Sequence, residues 1–378
     1  MTETVKLLRE LIALPSVNPA FLPAQHPQAG EGRVMEYLAA VAAHAGLDIH
    51  LQEVLPGRSN LFATLRSSGK TKQRILLAPH VDTVAAFSED QFIPKIKSGR
   101  IYGRGACDTK GSVASMLTAL IDLARRGLRP VETEIVFVGL IDEENAQSGS
   151  RHLASSGFKA DLAIIGEATR QKVVTAHKGS LWLRIETHGK AAHGSKPELG
   201  KNAVHEMARV VDVLETTYAA QLRKRRHPLL GSATVSVGAI SGGTQTNIVP
   251  ALCKASADRR TLPGESERSV CQELTKLLRS QKLNAVISGG KEKEKECLPM
   301  ETDPGLPLVK KFLQVVGQKK PAGVDYYCDA SVLAHAGIPS VVFGPGDIAQ
   351  AHTADEWVSV QDLEESTALL SQFLKSLP

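Results

Sequence analysis

The sequence predicts an α/β protein whose first domain is interrupted by a second domain of α+β type. Three observations carry that expectation. Up to about residue 176 a helix gives way to strands alternating with helices. From 179 to 290 the pattern becomes the apolar/polar alternation of half-buried antiparallel strands, and after Cys297 helix and buried-strand character return.

Residues 34–45 place apolar side chains at helical spacing and run into Gly46, a natural helix stop. In RILLAPHVDTV the apolar run 75–77 reads as a buried strand, and EIVFVGLIDEEN and LAIIGEAT repeat the arrangement with strands at 135–138 and before Glu167. In the interruption, LWLRIET (181–187), ATVSVGAI (233–240) and ALCKASAD (251–258) alternate, helices are expected at 202–222 and 266–281, and 284–288 makes a last strand. That order, βαββαβ, is the ferredoxin-like split motif. A helix at 308–316 and a strand at 340–343 then lead into GPGDIAQAHTADEW, so His352 belongs to the first domain. The expected boundaries are 1–177 and 292–378 for the discontinuous domain and 178–291 for the insert, with 288–296 as an exposed hinge.

Composition narrows the class. At 378 residues and 42% apolar the chain can build more than one core. It has no run of about 18 apolar residues, and the acidic residues in MTETVKLLRELIALPSVNP do not suit a secretory signal, so no membrane partner and cytoplasmic residence are expected. The five cysteines are scattered and form no C-x-x-C pair, which speaks for reduced thiols. Net charge is +5, but its basic residues mostly interleave with acids, and the LRKRRH run at 222–227 lacks neighbouring aromatics, so nucleic acid is not an expected partner. GRGACDTKGS lacks the spacing of a phosphate-cradling loop.

Chemistry gathers at strand ends. His80 and Asp82 follow the first apolar run two residues apart, Asp108 lies in a glycine-rich loop, Glu143 and Glu144 follow 135–138, and Glu167 follows the next strand. With His352 these are imidazoles and carboxylates of the kind that bind divalent metals.

The segments HVDTV, GRGACDTKG, DEEN, GEAT and AQAHTADEW, in this order and spacing, resemble the dinuclear zinc amidohydrolase and peptidase family. That family includes acetylornithine deacetylase, succinyl-diaminopimelate desuccinylase, aminoacylase and glutamate carboxypeptidase. The resemblance covers essentially the whole chain and implies a mixed-sheet, zinc-peptidase-like catalytic domain with a ferredoxin-like lid and dimerisation domain inserted in it. It implies two divalent ions, zinc first with cobalt or manganese possible, His80 and Glu167 binding one, Glu144 and His352 the other, and Asp108 bridging. Asp82 would fix the His80 tautomer. Glu143 would be the general base acting on a metal-bridging water. The Asp108–Thr109 peptide bond is expected to be cis. In the lid, His193 would stabilise the oxyanion across a homodimer interface, Asn247 in SGGTQTNIVP would hold substrate, and Arg260 in DRRTLPGE would grip a substrate carboxylate, with Arg259 on the opposite face. Residues 323–329 resemble the family's substrate-side loop, with Cys328 where threonine is common.

The expected reaction is hydrolysis of the amide bond of an N-acyl-L-amino acid, as in acetylornithine deacetylase or succinyl-diaminopimelate desuccinylase. Glutamate carboxypeptidase or di/tripeptidase activity is the alternative within the family. A non-catalytic small-molecule binder is the remote one, marked by loss of the base or a ligand, and all of them are present.

Overall fold

The computed structural model describes residues 1–289 and 297–378. The expected domain boundary at 291/292 and most of the expected hinge lie outside the described residues. The fold is mixed α/β, and the chain divides into two compact units. One comprises Met1–Thr175, Thr302–Ala322 and Cys328–Pro378, the other Ala176–Glu301 and Gly323–Tyr327.

In chain order the principal strands are β1 (Asp48–Leu55), β2 (Arg58–Leu65), β3 (Gln73–Pro79), β4 (Arg100–Tyr102), β5 (Thr133–Gly139), β6 (Leu162–Gly166) and β7 (Val174–His177). They continue with β8 (Gly179–His188), β9 (Thr234–Gly242), β10 (Leu252–Thr261), β11 (Ala285–Gly289), β12 (Ser340–Val342) and β13 (Trp357–Ser359).

The first unit is built on a mixed sheet in the order β1-β2-β5-β3-β6-β12-β7. β5, β3, β6 and β12 run parallel, while β1, β2 and β7 join antiparallel. Ile75–Pro79 and Leu162–Gly166 are buried without interruption, as expected of strands covered on both faces. Because the four parallel strands share a direction, the residues that follow them emerge at one edge of the sheet, where open α/β sheets place their sites. The core packs these strands against helices Glu3–Ala13, Gly32–His44, Lys110–Arg125, Pro307–Val316 and Val360–Lys375, and includes the Phe312, Phe343 and Phe373 rings.

The second unit has the strand order β9-β10-β8-β11, all pairs antiparallel. β8 and β10 alternate buried and more exposed residues, and the buried set packs on helices Ala203–Val213 and Glu267–Ser280. The latter begins with a Ser266/Ser269 capping box and buries Val270, Leu274 and Leu278 at four-residue spacing. The continuous helix expected at 202–222 is instead Ala203–Val213, a π turn over Leu214–Tyr218, and Ala219–Lys224. Thr216 donates its hydroxyl to the Asp212 carbonyl (2.7 Å), a back-bond of the kind that bends helices. A short hairpin, Arg226–His227 with Gly231–Ser232, was not foreseen. Within the basic run, Arg225 pairs with Glu273 (2.7 Å). Gly323–Tyr327 belongs to this unit, where Lys178 N donates to Val324 O (3.2 Å) and its ammonium pairs with Asp325 (2.8 Å).

Among the described residues no helix is long and apolar enough to cross a membrane. Among the described residues no disulfide links the five cysteines.

Candidate active site

β3, β5 and β6 end at Pro79, Gly139 and Gly166, and the next turns bring His80, Glu144 and Glu167 to the same edge of the first unit's sheet. The loop after β4 supplies Asp108, and the Asp108–Thr109 bond is cis. His352, in a left-handed backbone conformation, comes from the loop between β12 and β13.

These side chains form two groups of metal-binding donors that share one residue. His80, Asp108 and Glu167 are one group, Asp108, Glu144 and His352 the other, and within each the donor atoms lie within 4.8 Å of one another. The two Asp108 oxygens face different ways: Oδ1 is 3.1 Å from His80 Nε2 and Oδ2 is 3.1 Å from His352 Nε2. Glu167 Oε1 is 3.8 Å from His80 Nε2, and Glu144 Oε2 is 3.1 Å from His352 Nε2.

The His80 tautomer follows from its other nitrogen. Nδ1 lies 3.0 Å from the backbone carbonyl of Asp82, which can only accept, so Nδ1 carries the hydrogen and Nε2 is presented to the acids. The Asp82 carboxylate is the more distant acceptor at 3.4 Å. Its shorter bonds go elsewhere, to Glu143 N (3.0 Å), Glu144 N (3.1 Å) and Asn18 Nδ2 (2.7 Å). Asp82 thus fixes the turn that carries the glutamate pair as well as facing His80. The Glu143 carboxylate has no hydrogen bond among the described residues.

Electrostatics explain why this cluster suits cations. No lysine or arginine pairs with Asp108, Glu143, Glu144 or Glu167 among the described residues, so only the two imidazoles answer four acids. Burial pushes Glu144 up to about 7, Asp108 adds to this, and His352 only partly offsets it. Burial also holds Glu143 and Glu167 well above the usual carboxylate range, against the opposing pull of His80. Asp108 goes the other way: burial raises it, but bonds to His352 and His80 outweigh that and hold it low. The bonds to Asp108 and Glu144 carry His352 up to about 10. Buried carboxylate oxygens with the buried His80 and the exposed His352 imidazoles, carrying surplus negative charge, fit two divalent ions of the zinc, cobalt or manganese type. Asp329, pushed up to about 6 mainly by burial, accepts from Ser150 (2.5 Å).

Three expected site residues lie in the second unit. His193 and Asn247 are neighbours: Gly194 N donates to Asn247 O (2.7 Å), and His193 is bridged to Ile248. Ser195 N donates to His193 Nδ1 (3.2 Å), so Nδ1 is an acceptor and the exposed ring offers its hydrogen at Nε2. Arg260 is not beside them in the sheet register; it pairs with Ser180 and Thr234 on the more exposed face of the four-stranded sheet. Its Nε donates to Asp258 (2.9 Å), which leaves the two terminal nitrogens for a ligand. Arg259 is fully buried on the other face, bonded to Tyr218 and Glu265.

Sequence reasoning missed two buried polar residues at this site. Asn18 bonds both Asp82 and Asp142 (3.0 Å), and Glu356 accepts from the backbone of the Asp108 loop. Glu356 stands inside the AQAHTADEW motif, a signal that could have flagged it, whereas Asn18 sits far from every ligand in sequence.

A model of "Peptidase family M20/M25/M40" matches residues 76–376. An acetylornithine deacetylase of Edwardsiella ictaluri (strain 93-146) is 31% identical over 98% of this chain and 96% of its own. Among solved structures, the aminopeptidase PepT of Bacillus cereus ATCC 10987 superimposes with a TM-score of 0.78 at 21% identity, covering 99% of this chain and 97% of that one. The Bacillus subtilis YXEP protein, described as a dinuclear metal binding peptidase, gives 0.72 at 13% identity, covering 98% and 96%.

Proposed function

The chain belongs to peptidase family M20/M25/M40 and is a metal-dependent hydrolase of amides, and on that premise we propose that it deacylates an N-acyl-L-amino acid in the manner of an acetylornithine deacetylase. The observation that carries the reading is the pair of donor groups joined at Asp108, with, close by, a Glu143 carboxylate that has no hydrogen bond among the described residues. His80 and Glu167 would hold one ion, Glu144 and His352 the other, and Asp108 both, with zinc the first choice. When bound, the ions supply Lewis acidity that lowers the pKa of water and polarises the amide carbonyl. The protein's own groups do the rest. Glu143 takes a proton from the attacking water and returns it to the leaving amine. Asp82 holds the backbone of Glu143 and Glu144, so the base and its neighbouring ligand keep a fixed spacing. In the second unit, which we read as a lid through which the protein forms a homodimer, His193 donates from Nε2 to the developing oxyanion. Asn247 holds substrate, and the terminal nitrogens of Arg260 grip a free substrate carboxylate. Cysteines without a disulfide among the described residues support a reducing, cytoplasmic setting.

The test is amine release by zinc- or cobalt-reconstituted protein from acetylornithine, succinyl-diaminopimelate, other acylated amino acids and C-terminal glutamate peptides, beside free-amine peptides. Turnover of the acylated amino acids supports the reading, and turnover of free-amine peptides alone overturns it. Light scattering should give twice the 40.5 kDa chain mass.

A further inference from the structure

Glu356 is 1% exposed, yet its carboxylate is fully engaged. Oε2 accepts from Arg104 Nη1 (2.6 Å) and Gly105 N (3.0 Å), and Oε1 accepts from Cys107 N (2.9 Å) and Asp108 N (3.0 Å). Its own carbonyl accepts from Gly103 N (3.0 Å). β13 begins at the next residue and pairs with β4, Trp357 opposite Tyr102, so the loops leading to His352 and Asp108 leave the same ladder together. We propose that Glu356 is a positioning residue for the metal site: it ties the backbone of the Asp108 loop to the His352 loop, so that the two Asp108 oxygens stay aimed at the two donor groups. This rests on the reading of the site given above. One carboxylate thereby fixes the only ligand the two groups share, four residues from a ligand that belongs to one of them.

The test compares divalent-ion binding by wild type and Glu356→Gln, using zinc or cobalt titrations against a chelator, with melting of the metal-free proteins alongside. A glutamine has one acceptor oxygen, so in either orientation its NH2 confronts either the Cys107 and Asp108 amides or Arg104 and Gly105. Both ions should be bound about 10- to 100-fold more weakly, the loss found when groups supporting metal ligands are removed. A purely structural role lowers the melting temperature and leaves the affinity of the folded variant unchanged, which would overturn the proposal. Should Glu356→Gln fail to fold, amide exchange of wild type decides: the Gly105, Cys107 and Asp108 amides should be protected together, and free exchange refutes the anchor. Wild type that binds no pair of ions sinks the site reading and this inference with it. Wild type that binds two while Glu356→Gln binds them equally well sinks this inference alone.

Discussion

Replacing Asp82 with asparagine tests how the glutamate turn is held. The carboxylate accepts from Glu143 N through Oδ1, and from Glu144 N and Asn18 Nδ2 through Oδ2. An asparagine oxygen placed at Oδ2 keeps two of these bonds but sets its NH2 against the Glu143 amide; the flipped amide loses two. The cheaper orientation forfeits one charge-assisted bond, about 1.5–3 kcal/mol, and weakens the two it keeps. The local cost is then about 2–4 kcal/mol, or a 30- to 1,000-fold rise in opening at roughly 1.36 kcal/mol per tenfold. Hydrogen exchange of the segment 142–146 followed by mass spectrometry reads this directly in the metal-free protein. Exchange within about threefold of wild type would refute the claim that Asp82 carries the turn, and would leave it only its contacts with His80 and Asn18.

Other expectations follow from the same geometry. Glu143→Gln, isosteric and without a bond to lose, should lower kcat by about 10²–10⁴ while both ions stay bound by elemental analysis; lost metal would reassign Glu143 as a ligand. His193→Ala should lower kcat by about 10²–10³ with little change in KM, and an unaltered kcat would remove the oxyanion role. Arg260→Lys should raise KM for a substrate with a free carboxylate, and not for its carboxamide, since a point charge replaces a planar fork.

The site was legible where a backbone rule links residue to strand. His80, Glu144 and Glu167 each follow an apolar run, and parallel strands bring such followers to one edge. Asp108 follows no such run, since β4 is only three residues long; it stood out through its glycine-rich loop, and its bridging role entered through the family resemblance. Asn18 and Glu356 escaped because their bonds reach 64 and about 250 residues along the chain, distances over which no periodicity speaks. The helix at 202–222 read as continuous because its apolar spacing is helical, while the Thr216 back-bond that accompanies its π turn is a local competitor that patterns do not register. For Arg260 the alternation of β10 separated it from Arg259, but its bond to Asp258 depends on side-chain geometry alone.

The central claim is that His80, Asp108, Glu144, Glu167 and His352 hold two cations through one shared carboxylate. Elemental analysis of wild type and Asp108→Ala, each equilibrated with zinc and freed of excess, addresses it most directly. Wild type should carry two ions per chain, and the variant should lose affinity at both positions; two ions retained by Asp108→Ala, or none by wild type, would contradict it.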